Sequence, residues 1–330
     1  MAKENILPLI FYESSDYTNS HSHVNSNGEA SLRCRKIDLY RSMMTVGNPS
    51  FISKQKIRDY GLARTIYSSV IEKVGIVFEN IKSDRNGMRL HPIYHSHVSD
   101  KKRIVSYNLG MAFAKFYAEK LLDIPSLVHV ETLKVLGAIE LVDPEEVRGR
   151  EPDLVGQSLN GDWHVFEAKG MTTNQLNTKI ISAKEQVQRV ESINGIPPQT
   201  LNACATYFND YRILTYLVDP ESKKEKRYKV KREKFLDSNY KPIFLLEKAL
   251  NEKLELKVED GFKYYAINLE AKGVNLTVGI EEEIHDLIQQ RELFEFPSSL
   301  RSKLVEQSNQ ERGQKYSIGL DGIILKYRYF

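Results

Sequence analysis

The sequence predicts a mixed α/β fold, and three observations carry that reading. A helical pattern at 107–124 precedes an apolar, strand-like run. Two apolar stretches then flank Asn160-Gly161, a dipeptide that favours a tight type I′ hairpin turn. A second helical pattern, 173–193, follows the hairpin and leads into further strand-like runs.

Taken in order, ILPLIFY reads as a first strand. Its seven apolar residues, with acidic Glu4 before them, are too short and too weakly basic a stretch for a secretion signal. SSDYTNSHSHVNSNGEAS (14–31) is rich in Ser, Asn and His and reads as a loop or disordered excursion. RKIDLYRSMM and IRDYGLARTIYSSVIEKVGIVF carry helical or mixed periodicity. In YNLGMAFAKFYAEKLLDI (107–124), Leu109, Ala112, Phe116 and Leu121 fall close to one helical stripe, and Pro125 ends it. SLVHVETLKVLGAIEL reads as strand, REPDLVGQSL as a second, and WHVFEAKG as the strand returning from the Asn-Gly turn. The helix at 173–193 spaces Leu176, Ile180, Ala183, Val187 and Val190 by three or four; Gly195 and Pro197-Pro198 stop it. ATYF and RILTYLVDP resume strands.

Beyond them, KLELKVE and FKYYAINLEAKG flank Asp260-Gly261 as a second hairpin. EEEIHDLIQQRELF is a helix whose acidic start suits the dipole. IGL-Asp321-Gly322-IILKYRYF closes as a third hairpin. The expected organisation is an N-terminal α+β region (1–103), a core (104–240) and a C-terminal hairpin-and-helix extension (241–330).

Composition narrows the function. The 330 residues are 41% hydrophobic and 28% charged, ordinary for a folded soluble chain. No apolar run approaches the ~20 residues of a membrane span, so no membrane and a cytoplasmic location are expected. Cys34 and Cys204 are far apart and define neither a disulfide framework nor a zinc site. His21, His23, His91, His95 and His97 lack cysteine partners and read as loop residues. His164, on the strand face opposite Glu167, reads as structural. There is no P-loop, GxGxxG, HExxH or GxSxG, so no motor or hydrolase motif of those kinds. The net charge of +3 excludes a bulk polycation, but ESKKEKRYKVKREK (221–234) holds eight Lys or Arg against three Glu. It reads either as a solvated hairpin or linker, or as a phosphate-contacting strip with Tyr228 and Val230 as apolar punctuation.

The chemistry concentrates between 151 and 170. Asp153 follows Pro152 at the start of one strand, while Glu167 and Lys169 stand two apart on the next and share a face. Phe166 and Ala168 point to the other face. The 14-residue interval from Asp153 to Glu167 contains the Asn-Gly turn, so a hairpin can bring the two acids together. Two carboxylates and a lysine suit metal-assisted phosphodiester hydrolysis. Asp153, Glu167 and the backbone carbonyl of Ala168 offer hard oxygen ligands for Mg²⁺, with Mn²⁺ as a substitute. Lys169 would orient water or stabilise phosphate charge.

Pro152-Asp153 followed by Glu167-Ala168-Lys169 resembles the PD-(D/E)xK, or restriction-endonuclease-like, nuclease superfamily. The resemblance implies a helix–strand–strand–strand–helix–strand core, a mixed sheet flanked by helices, over roughly 105–220, with the remainder as extensions. It implies that Asp153 and Glu167 hold Mg²⁺ and that Lys169 serves the hydrolytic water. It adds an acid from the first core helix, for which Glu119 is the candidate. It also adds a polar residue from the helix after the motif, Gln186 ahead of Lys184 and Gln188. It implies a nucleic-acid substrate, DNA in preference to RNA, and a role in restriction or anti-phage defence. A helicase, ATPase or other defence partner and homo-oligomerisation are compatible with it. The rival reading is a non-catalytic nucleic-acid-binding or assembly module on the same fold.

Glu-Ala-Lys-Gly recurs at 270–273. There the upstream acid, Asp260, lies at the far turn of its hairpin, about 33 Å from Glu270 along an extended strand. No single ion spans that distance, so the second copy reads as a charged strand end.

Overall fold

The computed structural model describes residues 8–17, 24, 28–46, 54–84, 87–142, 150–173, 175–259, 261–271, 274–290, 292, 296–310 and 316–329. It is a mixed α/β protein. Its centre is a seven-stranded sheet of β1 (Leu9–Ser15), β2 (Gly28–Arg33), β3 (Ser126–His129), β4 (Leu154–Gln157), β5 (Trp163–Met171), β6 (Thr200–Phe208) and β7 (Ile213–Val218). Their spatial order is β2-β1-β7-β6-β5-β4-β3. From β3 through β5 neighbours are antiparallel, while β6 runs parallel to β5. A parallel pair needs a crossover, and α3 (Leu176–Val187) supplies it. The other helices that matter to the site are α1 (Lys36–Thr45), α2 (Ser99–Leu122) and α4 (Arg232–Leu250).

β4 and β5 are near-continuous buried runs because helices pack on the sheet: every residue of LVGQ is buried, as are Trp163 through Ala168. α2 crosses β5 at a point where only glycine fits. A Cβ on Gly110 would lie 2.7 Å from the Gly170 nitrogen, and one on Gly170 would fall on the Ser106 carbonyl. The last residue of Glu-Ala-Lys-Gly is therefore a helix-contact residue. The alternation places Phe166 and Ala168 on that same α2 face, with Glu167 and Lys169 on the opposite one.

Several expectations change. The Asn160-Gly161 turn is not type I′, which needs a positive φ at both central residues; Gly161 is at +89° but Asn160 is not in that region. The loop is wider, closed by Ser158 N–H to the Asp162 carbonyl (2.9 Å) and Asp162 N–H to Ser158 Oγ (3.1 Å). The run 126–141 is not one strand. It breaks into β3, a helix at Val130–Val135 and a strand at Ile139–Leu141. His129 causes the first break by capping that helix, its Nδ1 accepting from Glu131 N–H at 3.2 Å. The helix expected over 173–193 ends at Val187, because Val190–Ile193 is recruited as a strand beside Lys226–Val230.

That pairing also decides the form of the basic stretch. Lys226–Val230 is the middle strand of a three-stranded sheet, not a hairpin, and α4 starts at Arg232. Lys226 is buried and donates to the Arg150 carbonyl at 3.0 Å; Tyr228 and Val230 are buried beside it. Lys223, Lys224, Lys229 and Lys231 are exposed.

The hairpins at Glu255–Glu259/Phe262–Ala271 and Tyr316–Ile318/Ile323–Tyr329 form as expected, in one five-stranded sheet. The three-part division does not follow the chain's packing. α2 runs across 103–104, α4 runs across 240–241, and β1 and β2 complete the central sheet. One hydrophobic core reaches from Ile10 to Leu325. Both cysteines are buried and free. His95 pairs with Asp210 (2.8 Å), His97 with Asn80 (3.0 Å), and buried His164 with Thr200 (2.8 Å); His21 and His23 lie outside the described residues. No helix among the described residues is long and apolar enough to cross a membrane.

Candidate active site

Leu154 pairs with Phe166, so Asp153, just before β4, stands opposite Glu167. Pro152 has no N–H to continue the ladder, and the strand ends there. The orphaned Ala168 N–H donates to Asp153 Oδ2 at 3.1 Å, and Asp153 N–H donates to Glu167 Oε2 at 3.0 Å. Asp153 is thus bonded across the strand end twice, its N–H to the Glu167 carboxylate and its own carboxylate to the Ala168 N–H. Lys169 closes the group, its ammonium paired with Glu167 Oε1. Asp153 is itself tethered to the end of β3, its carbonyl accepting from Val130 N–H at 2.9 Å.

The electrostatics are lopsided. Glu167 is 1% exposed and Lys169 22%. Burial first, and then the neighbouring charge of Asp153, raise the Glu167 pKa to about 8; Lys169 and the Asp153 N–H pull the other way without winning. With both carboxyls ionised, as a bound ion requires, one lysine faces two carboxylates and the group is one positive charge short. A divalent cation would relieve that imbalance, and the donors are hard oxygens of the kind Mg²⁺ or Mn²⁺ takes. In extended backbone the N–H and C=O of one residue face the same neighbour. The Ala168 carbonyl therefore looks toward Asp153, where its N–H already bonds. Among the described residues no group of three or more His, Cys, Asp or Glu converges as a metal cage. The site has two carboxylates and one carbonyl, and water would complete an octahedron.

The expected third acid is not here. Glu119 is buried at the other end of α2, about 18 Å along the axis from Tyr107. Arg41 of α1 grips it with two bonds of 2.8 and 2.7 Å. Arg41 also faces Asp321 at 3.6 Å, and Lys115 faces Asp321 at 3.4 Å. This buried charge cluster joins α1, α2 and the C-terminal hairpin, and it occupies Glu119 structurally. Gln186 turns back on its own helix, donating to the Ser182 carbonyl at 3.1 Å. Lys184 lies 3.9 Å from Asp16, and Gln188 caps α3. None of the three is hydrogen-bonded to Asp153 or Glu167.

Two residues that no motif in the sequence marks do border the acids. Tyr107 lies one turn before Gly110 on α2, and its hydroxyl sits 3.0 Å from His129 Nε2 at the end of β3. Burial around the hydroxyl, then the charges of Asp153 and Glu167, raise the Tyr107 pKa and keep it protonated. Burial lowers the His129 pKa and keeps the ring neutral, although Asp153 and Glu131 oppose this. No protein-family model, curated protein or solved structure matches this chain.

Proposed function

We propose that the protein is a Mg²⁺-dependent nuclease that hydrolyses phosphodiester bonds, with DNA as the favoured substrate. The observation that carries the reading is the convergence of Asp153 and Glu167 at one strand end, where Asp153 N–H donates to the Glu167 carboxylate, Ala168 N–H donates to the Asp153 carboxylate, and Lys169 pairs with Glu167. The succession α2–β3–β4–β5–α3–β6, interrupted by the helix and strand at 130–141 and the strand at 190–193, has three antiparallel strands and then a parallel one and supports a restriction-endonuclease-like core. The exposed lysines at 223, 224, 229 and 231 lie in the segment that Lys226 anchors to Arg150, three residues before Asp153, and suit a polyanionic substrate. The resemblance extends the proposal to restriction or anti-phage defence, with a separate motor or recognition partner.

Asp153, Glu167 and the Ala168 carbonyl would hold the ion. A bound Mg²⁺ acidifies water and neutralises charge developing on the phosphate. The chain does the rest. Asp153 and Glu167 fix each other's position through the strand end. Lys169, partly exposed beside them, orients the attacking water or meets phosphate charge. Purified protein with Mg²⁺ or Mn²⁺ should cleave DNA, and Asp153→Asn and Lys169→Met should each remove cleavage while the fold persists by circular dichroism. A wild type that cuts neither DNA nor RNA, or a Lys169→Met variant that cuts equally well, refutes the enzyme.

A further inference from the structure

The contact between Tyr107 and His129 has a defined direction. Backbone N–H of Glu131 donates to His129 Nδ1 at 3.2 Å, so that nitrogen is an acceptor without a proton. A neutral imidazole then carries its proton on Nε2 and donates it to the Tyr107 oxygen at 3.0 Å. The tyrosine's own proton is not used in this contact and remains available to a further acceptor.

Topology says where that acceptor lies. α2 packs on β5 at Gly110 and Gly170, while the Tyr107 hydroxyl reaches the end of β3. β4 lies between β5 and β3, and Asp153 stands just before its first residue. Tyr107 therefore reaches, from the α2 face, the sheet end at which Asp153, Glu167 and Lys169 meet, and its hydroxyl lies within range of the Asp153 and Glu167 charges. The residue is 45% exposed, so it stands at the solvent side of that group and not in the core. A substrate phosphate brought to the two acids would meet a neutral O–H donor there, held by a buried histidine that a backbone amide orients.

We propose that Tyr107 is a catalytic residue of this site, donating a hydrogen bond to a non-bridging oxygen of the scissile phosphate, and that His129 is its positioning residue. The hydroxyl keeps its proton throughout; it contributes as a fixed dipole that strengthens as charge develops in the transition state. This rests on the nuclease reading.

The test is Tyr107→Phe, which deletes one oxygen from a half-exposed ring and leaves the packing intact. DNA cleavage with Mg²⁺ is measured beside Mn²⁺ affinity and thermal stability, for this variant, for His129→Gln and for the double variant. Tyr107→Phe should lower kcat ~10²-fold, as loss of one preorganised donor does, with KM, Mn²⁺ affinity and melting temperature unchanged. The double variant should be no slower than Tyr107→Phe, because histidine acts only through the hydroxyl. An active wild type with an equally active Tyr107→Phe overturns this proposal alone. So does a loss of cleavage that tracks a loss of Mn²⁺ binding, or additive effects in the double variant. A wild type that cleaves nothing overturns the nuclease reading and this proposal together.

Discussion

Glu167 and Glu270 begin the same tetrapeptide, each near the end of a strand, yet their surroundings share little. Across from Glu167 stands Asp153, whose N–H the Glu167 carboxylate accepts. Across from Glu270 stands Asn275, and Glu270 is exposed. Glu167 is enclosed between helices on a strand with neighbours on both sides; Glu270 lies near the tip of a hairpin. Four identical letters therefore carry no chemistry by themselves. The strand opposite, and the burial that raises one carboxyl toward neutrality, make the difference.

The sharpest way to break this contrast is to neutralise both glutamates. Glu167→Gln should reduce DNA cleavage by at least ~10³-fold, the upper range for removing one charge-stabilising group, while Glu270→Gln cleaves at the wild-type rate. Equal losses would end the distinction between the copies. Next in size is Glu119→Ala. It strips Arg41 of its main partner inside the core and should destabilise the fold by about 3 kcal/mol in denaturant unfolding. Mn²⁺ affinity should not change, since Glu119 lies outside the site. A smaller effect tests why the copy at 167 is followed by glycine where it is. Gly170→Ala pushes a methyl into the Ser106 carbonyl and should lose about 2 kcal/mol, read from the unfolding midpoint. The smallest concerns the basic segment. Alanine at Lys223, Lys224, Lys229 and Lys231 should flatten the dependence of log K on log salt for DNA by about one unit per phosphate contact removed. An unchanged slope would leave those lysines as solvated surface.

What could be read from sequence was local. The acids and the lysine were legible because Pro152, the Asn-Gly turn and two apolar runs lie within twenty residues of one another. Strands β1, β4, β5, β6 and β7 and the C-terminal hairpins followed from alternation and turn residues. Val190–Ile193 was hidden because its apolar spacing continues the helix before it, and only the partner strand at 226–230 decides otherwise. The helix at 130–135 was hidden inside an apolar run, its start set by a histidine cap that strand statistics ignore. Glu119 was misplaced because periodicity gives a helix a face but not the end that meets a site. Its true partner, Arg41, is 78 residues away, and Arg41 is in turn shared with Asp321 from the far end of the chain. Tyr107 and His129 belong to no motif and become visible only when β3 and α2 meet at the same sheet end.

The proposed chemistry depends on Asp153 and Glu167 sharing one divalent ion. Its most direct test is Mn²⁺ binding followed by electron paramagnetic resonance across pH. The wild type and Glu270→Gln should each bind one ion, with affinity falling as pH drops below about 8, where the proton on Glu167 competes with the ion. Asp153→Asn and Glu167→Gln should lose that ion. A wild type that binds no Mn²⁺, or a Glu167→Gln variant that binds it as tightly, would show that the two acids share no ion.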